Sequence, residues 1–539
     1  MKGIIKDNKY LIFLWLFCIL GLLFFCGHYQ GILIDFGREV YYPQRILQGK
    51  ILYKDLFNIY GPLAYQINAV LYKFFGAKLS TLYGAGVLCS LLTVSGIFLI
   101  AKKFLSEFLS FGIGLFSLAV GVTTSVIFNF HFPYSWAVLY GLVAFLFSLY
   151  FLLNFCDDKN STNLCISSFL AGICITCKYD FILYGIIVLF LIIKEKNFKA
   201  LLSFLSVPFI SFGILFIQGL RLSDLANFLI VIKAMAKSKT LTYFYQNSGI
   251  YFHPKALVTD FLLFLKFVIP FSAILASVYL FNRNKIGSIS LQIFGWVTFL
   301  WFFTEKYQIA FGFLPLVLLI FALFSYKKFD FKLFILVLSA LAAGAKVFWV
   351  LILQSYGNYY VSIILIAFLA LLFTYLPKRL EKVVAIYVII AGLFIFISNF
   401  SALSLPQYKI TTERGTIYTQ KSIAGSTNQL INFLKNQNGN AVIFPEGMSV
   451  NFLSNTISDD YYNSLLPLYV ETFTEEKIIN HYRENLPEYV IFNNLNMKDY
   501  YFKYICEDYA LDFCRFVKDN YEMDKIIDNG FRYVIFKRK

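Results

Sequence analysis

Along most of the chain, apolar runs close to twenty residues long alternate with short polar stretches. As helices, runs of that length can each cross a hydrocarbon core of about 30 Å. They predict spans near residues 10–27, 80–101, 104–126, 135–155, 163–177, 181–193, 200–219, 259–281, 288–303, 308–325, 333–353, 361–377 and 383–400. The expected fold class is an all-α polytopic membrane domain over residues 1–400, with about 13 transmembrane helices. After Ser401 the pattern changes. Residues 401–539 are polar, and "NAVIFPEG", "PEYVIFNN" and "FRYVIFKRK" read as short buried strands. With helices at 423–438 and 475–485 between them, they predict a small soluble α/β domain. The first run, from Tyr10 to about Cys26, is followed by no small-x-small cleavage site, so it reads as a retained span.

The polar stretches orient this array. With the N-terminus in the cytoplasm, the inside loops hold Lys2, Lys6, Lys9, Lys102, Lys103, Lys159, Lys194, Lys196, Lys199, Arg283, Lys285, Lys327, Lys328, Lys332, Lys378, Arg379 and Lys382. The short outside loops hold little beyond Lys178 and Lys306. That bias predicts an N-in protein. Its outer face then carries a loop at 28–79, a second at 220–258, and the C-terminal domain.

Composition agrees with this picture. The chain has 539 residues, 59% hydrophobic and 14% charged, with a mean hydropathy of +0.68. Soluble chains are about 25% charged. The formal charge of +16 follows from the loop lysines and arginines, and no basic patch on a large soluble domain suggests nucleic acid. Seven of nine cysteines lie in or beside apolar runs, where a free thiol packs as a small hydrophobe. Cys174-x-x-Cys177 belongs with them, since no strand precedes it. Cys506 and Cys514 in the tail can pair if the tail faces an oxidising compartment.

The charge that needs explaining sits in the first outer loop. Asp35, Glu39 and Asp55 lie there with Arg38, Arg45, Lys50 and Lys54. If Phe36 begins a helix, Asp35 and Glu39 share a face one turn apart, with Arg38 beside them. Val40, Ile46, Leu47, Ile51, Leu52, Leu56 and Phe57 can lie on the membrane. Gly49, Gly61 and Pro62 break the loop into short helices. This reads as a structured platform at the membrane surface.

The residues Asp35-x-Gly37-x-Glu39-x-Tyr41, then Leu47-x-Gly49-Lys50-x-x-Tyr53-x-Asp55-x-Phe57 and Gly61-Pro62-Leu63, carry a resemblance. They resemble the first outer loop of the GT-C superfamily of polyprenyl-phosphate-sugar glycosyltransferases, which includes bacterial aminoarabinose transferases and protein O-mannosyltransferases. The span count, topology, second outer loop and outer C-terminal domain are similar too, as are "TEKYQIAFGFLPLVLL" and "VIFPEGMSVNFLSN". The resemblance implies a multi-pass enzyme of the bacterial cytoplasmic (inner) membrane. It would move a hexosyl or pentosyl group from a polyprenyl-phosphate donor to an acceptor hydroxyl of a lipid, glycan or protein, with inversion, on the outer face. It implies Asp35 as catalytic base or acceptor-positioning group, Glu39 as the second catalytic candidate, and Asp55 as a later acidic position. Many relatives carry Lys-Pro-Pro-Leu where this chain has Tyr60-Gly61-Pro62-Leu63, which leaves the phosphate's partner open.

The chemistry asks for such groups. A carboxylate that takes the proton as the acceptor hydroxyl attacks the anomeric carbon contributes roughly 10²–10⁴-fold. The departing polyprenyl phosphate gains charge, which a cation stabilises. Candidates are Arg38, Arg221, Lys233, Lys237, Lys239, Lys255 and Lys306, with Arg38 and Lys306 favoured because they sit beside spans. His131 lies in a short outer loop near the proposed site, although a histidine at a helix end is more often structural. The four histidines show no metal-ligand spacing. No cofactor is expected, and a divalent metal is compatible with the chemistry. Lys178 and Asp180 read as an ion pair at an outer turn. Lys346 lies deep in a predicted span, and is either functional or snorkelling. The alternative reading is a transporter or flippase of lipid-linked saccharides, which would place polar groups near the midplane. A polymerase or ligase would carry its main loop late among the spans. Uniformly apolar spans with charge gathered at one surface favour surface chemistry.

Overall fold

The computed structural model describes residues 9–281, 283–437 and 439–539, and it leaves the side chains of residues 255, 256, 304 and 305 undescribed. The topology cations Lys2 and Lys6 and the candidate cation Lys255 therefore lie outside the described residues. Seven helices among those described are long and apolar enough to cross a membrane: Leu79–Lys102, Trp136–Asp158, Phe198–Gln218, Leu257–Leu280, Lys285–Phe303, Tyr307–Lys328 and Lys378–Ala402. Shorter apolar helices run over Lys9–Phe25, Glu107–Gly121, Ser161–Cys177 and Gly357–Leu372. The helices Ile182–Lys194 and Phe331–Ala343 are shorter still, at 13 residues each. Every predicted run thus contains a helix, while only seven reach spanning length.

One run ends early. The span expected over 333–353 stops at Ala343, and a 3₁₀ turn over Gly344–Val347 follows. A Cβ at Gly344 would stand 2.7 Å from Ile364, so the chain passes close to the Gly357–Leu372 helix as it leaves the helical path. Lys346 therefore sits in a turn beyond a helix end, which corrects its expected place deep in a span. Polar side chains start several neighbouring helices by accepting a free backbone N–H: Ser106 from Leu109, Asn197 from Ala200 and Asp330 from Leu333.

The C-terminal part is a small sheet domain. Strands β3 (Ala441–Phe444), β4 (Tyr489–Asn493), β5 (Tyr521–Asp528) and β6 (Arg532–Arg538) lie in the order β3-β4-β6-β5. β3 and β4 are parallel, and the other pairs antiparallel. The three quoted apolar stretches are β3, β4 and β6, and the expected helices appear at Lys421–Lys435 and Glu475–Glu484. The sequence pattern missed β5, whose residues are mostly exposed. It also missed a hairpin of β1 (Tyr408–Thr412) and β2 (Gly415–Thr419). That hairpin ties the domain to the exit of the first helix: Tyr418 N–H donates to Gly27 O at 2.7 Å, and Tyr29 N–H to Tyr418 O at 2.9 Å.

The first loop forms the helices Phe36–Leu47 and Leu63–Phe75. The 36–47 helix is covered, not spread on the membrane surface as expected. Its Gly37 lies against the Met448–Ser454 helix of the sheet domain so closely that a Cβ would stand 2.5 Å from Ser449 N. Arg45 then grips Asp460 of that domain with two bonds of 2.6 and 2.8 Å. The loop is thereby sandwiched between the helical array and the sheet domain.

Candidate active site

Asp35 begins the 36–47 helix, but its side chain does not cap it. Its backbone stands at φ 61°, ψ −39°, a left-handed region that a side chain disfavours. Two contacts hold it there. Its carboxylate accepts from Arg38 Nη2 at 3.0 Å, and its backbone N–H donates to Glu446 Oε2 of the sheet domain at 3.3 Å. The Asp35 side chain keeps 25% of its surface accessible, the most open carboxylate of the cluster around Arg38.

Glu39 is the opposite case. It has no exposed surface, and both oxygens are engaged. Oε1 accepts from Tyr65 OH at 2.7 Å and from Arg38 Nε at 3.1 Å, while Oε2 accepts the Trp136 backbone N–H at 2.8 Å. Burial raises its pKa, and Arg38, Trp136 and Tyr65 offset only part of that effect. This arrangement suits an anchor for Arg38 and for the start of the 136–158 helix. Arg38 is thereby fixed between Asp35 and Glu39, with its guanidinium 4.9 Å from the centre of the Tyr60 ring.

The same Tyr60 ring carries a second cation. Lys178 Nζ lies 3.7 Å from its centroid and donates to Tyr134 OH at 3.0 Å. Lys178 Nζ is 3.9 Å from Asp180, and Lys346 Nζ reaches the same carboxylate oxygen at 3.5 Å. Lys346 also packs 4.1 Å from the Tyr356 ring centre. Burial lowers the Lys178 pKa to about 7, with Lys346 and Arg38 adding to that effect and Asp180 opposing it. For Lys346 burial is the largest single effect and lowers the pKa, but Asp180 together with Tyr356 and Tyr245 outweighs it, so its pKa is raised. Arg38, Lys178 and Lys346 thus gather around the Tyr60 and Tyr356 rings, interleaved with Asp35, Glu39 and Asp180.

Backbone packing makes this possible. Gly61 N–H donates to Cys177 O at 3.1 Å, and a Cβ at Gly61 would lie 1.9 Å from Thr176 O. Only glycine lets the first loop close onto the end of the 161–177 helix, where Lys178 follows. Asn58 and Tyr53 donate to Tyr60 O at 2.8 and 2.6 Å and fix the turn before it.

The other predicted residues lie elsewhere. Asp55 accepts the Ile51 N–H at 2.9 Å and closes the 51–56 turn. His131 is fully buried between Tyr29 OH (3.2 Å) and Thr124 O (3.2 Å), and burial lowers its pKa to about 4. Lys306 is exposed at the end of the 285–306 helix, as are Arg221, Lys233, Lys237 and Lys239 in the second outer loop. Among the described residues, no group of three or more His, Cys, Asp or Glu side chains is placed to hold a metal ion. Sequence reasoning missed Glu446 altogether. Its signal is an acid two residues past the buried strand β3, at the strand end where α/β sheets present functional groups.

A cleft of about 980 Å³ opens between the Lys239–Asn247 helix and the sheet domain. Tyr243, Glu471, Glu475, Tyr500, Tyr501 and Arg515 line parts of it. Tyr500 lines it, and burial first, then the Asp35 charge, raises the pKa of its hydroxyl.

Residues 60–217 match the family model described as dolichyl-phosphate-mannose-protein mannosyltransferase. The matched segment starts at Tyr60 and includes Lys178, and it bears out the resemblance to membrane glycosyltransferases with lipid-linked donors. No curated protein matches the chain by sequence. Among solved structures, the chain is similar to ArnT from Cupriavidus metallidurans bound to undecaprenyl phosphate, at 10% identity over 98% of both chains and a TM-score of 0.42. It is also similar to the Archaeoglobus fulgidus oligosaccharyltransferase in complex with Zn and sulfate, at 12% identity over 90% of this chain and 68% of that one, with a TM-score of 0.48. The same archaeal enzyme with an inhibitory peptide and a dolichol-phosphate gives 11% identity, coverage of 91% and 70%, and a TM-score of 0.45.

Proposed function

We propose that the protein is a membrane glycosyltransferase that moves a sugar from a polyprenyl-phosphate donor to an acceptor hydroxyl, with Asp35 as base and Arg38, Lys178 and Lys346 facing the phosphate. The observation that carries this reading is the pairing of an accessible carboxylate with a three-cation cluster at one end of the apolar helices. Asp35 takes the acceptor proton as the hydroxyl oxygen bonds to the anomeric carbon. The glycosidic bond to phosphate breaks on the opposite side, which inverts the centre. The phosphate leaves with an added negative charge, and preorganised cations in a partly dry site stabilise that charge. Lys178 and Lys346 take the place of the lysine that Tyr60 replaces in the loop motif.

The surroundings suit both substrates. We place the acceptor in the cleft that Tyr500 lines. An apolar cleft of about 330 Å³, lined by Phe264, Phe267, Phe303, Phe311, Leu365 and Tyr387, suits an isoprenoid chain. The thirteen helical segments, an N-in orientation and a C-terminal domain outside the bacterial inner membrane complete the proposal. The Cys506–Cys514 disulfide supports that orientation, since such bonds persist in oxidising compartments.

The test uses purified protein, a radiolabelled polyprenyl-phosphate sugar and membrane extract as acceptor source. Asp35→Asn is expected to lower transfer by about 10²–10⁴-fold at normal expression. Wild-type rates in that variant would remove Asp35 as base. A cysteine at exposed Lys477 is expected to react with an impermeant thiol reagent from outside, and protection would reverse the orientation.

A further inference from the structure

Glu446 is the only acid of the sheet domain whose side chain contacts the first-loop residue Asp35 among the described residues. It is 2% exposed, and it shares a small pocket of about 20 Å³ with Arg38, Tyr42, Asn463 and Tyr469. Its own position is fixed from below. Asn493 donates to its backbone carbonyl at 2.9 Å, and Gly447 packs where a Cβ would stand 2.3 Å from Ile443. Asp35, by contrast, sits in a disfavoured backbone conformation, and its N–H has this one external partner. A base held that way depends on the group that pins it.

We propose that Glu446 is a positioning residue for Asp35, so that the C-terminal domain supplies part of the catalytic geometry. The proposal rests on Asp35 being the base. Glu446 Oε2 holds the Asp35 N–H and with it the direction of the carboxylate. The ionisable groups facing Glu446 are Asp35 and Arg38 from the first-loop helix, Tyr42 from the same helix, Tyr461 and Tyr469 from the sheet domain, and Tyr500 beside the cleft. Burial first, and then the Asp35 charge, raise the Glu446 pKa to about 8. At neutral pH Glu446 therefore holds its proton and adds no charge beside Asp35. Above pH 8 its negative charge appears beside the base and the departing phosphate.

Two measurements test this. The first needs no substrate. A carboxyl whose folded pKa exceeds its unfolded value stabilises the protein fully below about pH 4.5, and that contribution is lost as pH rises toward 8. The melting temperature of the purified wild type is expected to carry this downward slope between pH 5 and 8, and Glu446→Gln to remove it. An identical slope in both proteins would overturn the protonation assignment. The second measures initial transfer rates at saturating decaprenyl-phosphate mannose. Glu446→Ala is expected to lower kcat about 10²-fold with donor KM unchanged, as a misplaced reacting group does. Glu446→Gln, which keeps an oxygen for the Asp35 N–H, is expected to recover part of that loss and to lack the wild-type decline above pH 8. If both variants keep the wild-type kcat and its alkaline decline, the positioning role is wrong. If wild type transfers no sugar from any polyprenyl-phosphate donor, the transferase reading falls, and the melting-temperature result still decides where the Glu446 proton resides.

Discussion

Binding of the donor phosphate should depend on pH in a way that Lys178 sets. Its ammonium is buried against Tyr60 and beside Lys346 and Arg38, and its pKa falls to about 7. Lys346 keeps its charge through Asp180, so it does not share this dependence. A phosphate monoester is already close to doubly charged above pH 6, so its own titration adds little. With an unoccupied-site pKa of about 7, roughly half of Lys178 is charged at pH 7 and about 1% at pH 9. If only the charged form binds well, affinity should fall about 50-fold between those values. Binding should also take up about half a proton at pH 7 and nearly one at pH 8.5. Calorimetry with decaprenyl phosphate in detergent, in buffers of different ionisation heat, reads both quantities. Lys178→Arg stays charged and should flatten the profile. Lys178→Met should bind weakly and equally at every pH. Unchanged affinity from pH 7 to 9 in wild type, or the same slope in the arginine variant, would refute the assignment of the phosphate to this cluster.

Glu39→Ala leaves Arg38 and the Trp136 N–H without their buried partner, and should lower stability by about 3–5 kcal/mol, read as a drop in melting temperature. Gly61→Ala forces a Cβ to within 1.9 Å of Thr176 O and should prevent accumulation of folded protein in the membrane. Glu471 accepts from Ser238, Lys239 and Thr240 at 2.5–3.1 Å, and these bonds outweigh burial and lower its pKa to about 2. Its stabilising contribution is complete above about pH 4.5 and should vanish as pH falls toward 2, so Glu471→Gln should remove that acid-side loss of helix 239–247 protection from proteolysis.

The helices were legible because their signal is local. Each apolar run carries its own evidence for length and character, and the strands β3, β4 and β6 are equally self-declaring blocks of buried residues. What could not be read was contact between distant segments. Asp35 stands out through the loop's resemblance and its spacing from Arg38 and Glu39, but nothing in the first loop announces Glu446, 411 positions away. The grouping of the cations is likewise hidden: the sequence favours Lys306 and Arg38 because both flank helices, and it does not show that Lys178 and Lys346, from two other helix ends, meet at Asp180. Lys346 was misplaced for a physical reason: its apolar neighbours continue the run, while Gly344 ends the helix before it. The exposed edge strand β5 escaped notice because few of its side chains are buried.

The sandwich explains why charge collects in this loop at all. In the hydrocarbon core Arg38 and Glu39 would be expensive, and in open water their attraction would be weak and screened. Between the helix ends and the sheet domain they occupy a drier region with a complete set of partners, where electrostatic interactions gain strength. Gly37 sets how closely the cover fits, Asp460 holds it through Arg45, and Glu446 reaches through it to Asp35. A soluble domain that only decorated the helices would need none of these three contacts. Its removal would strip the lid from Arg38 and release the backbone of Asp35. Activity and the loop's own order would then be lost together, although the helices keep every apolar contact of their own.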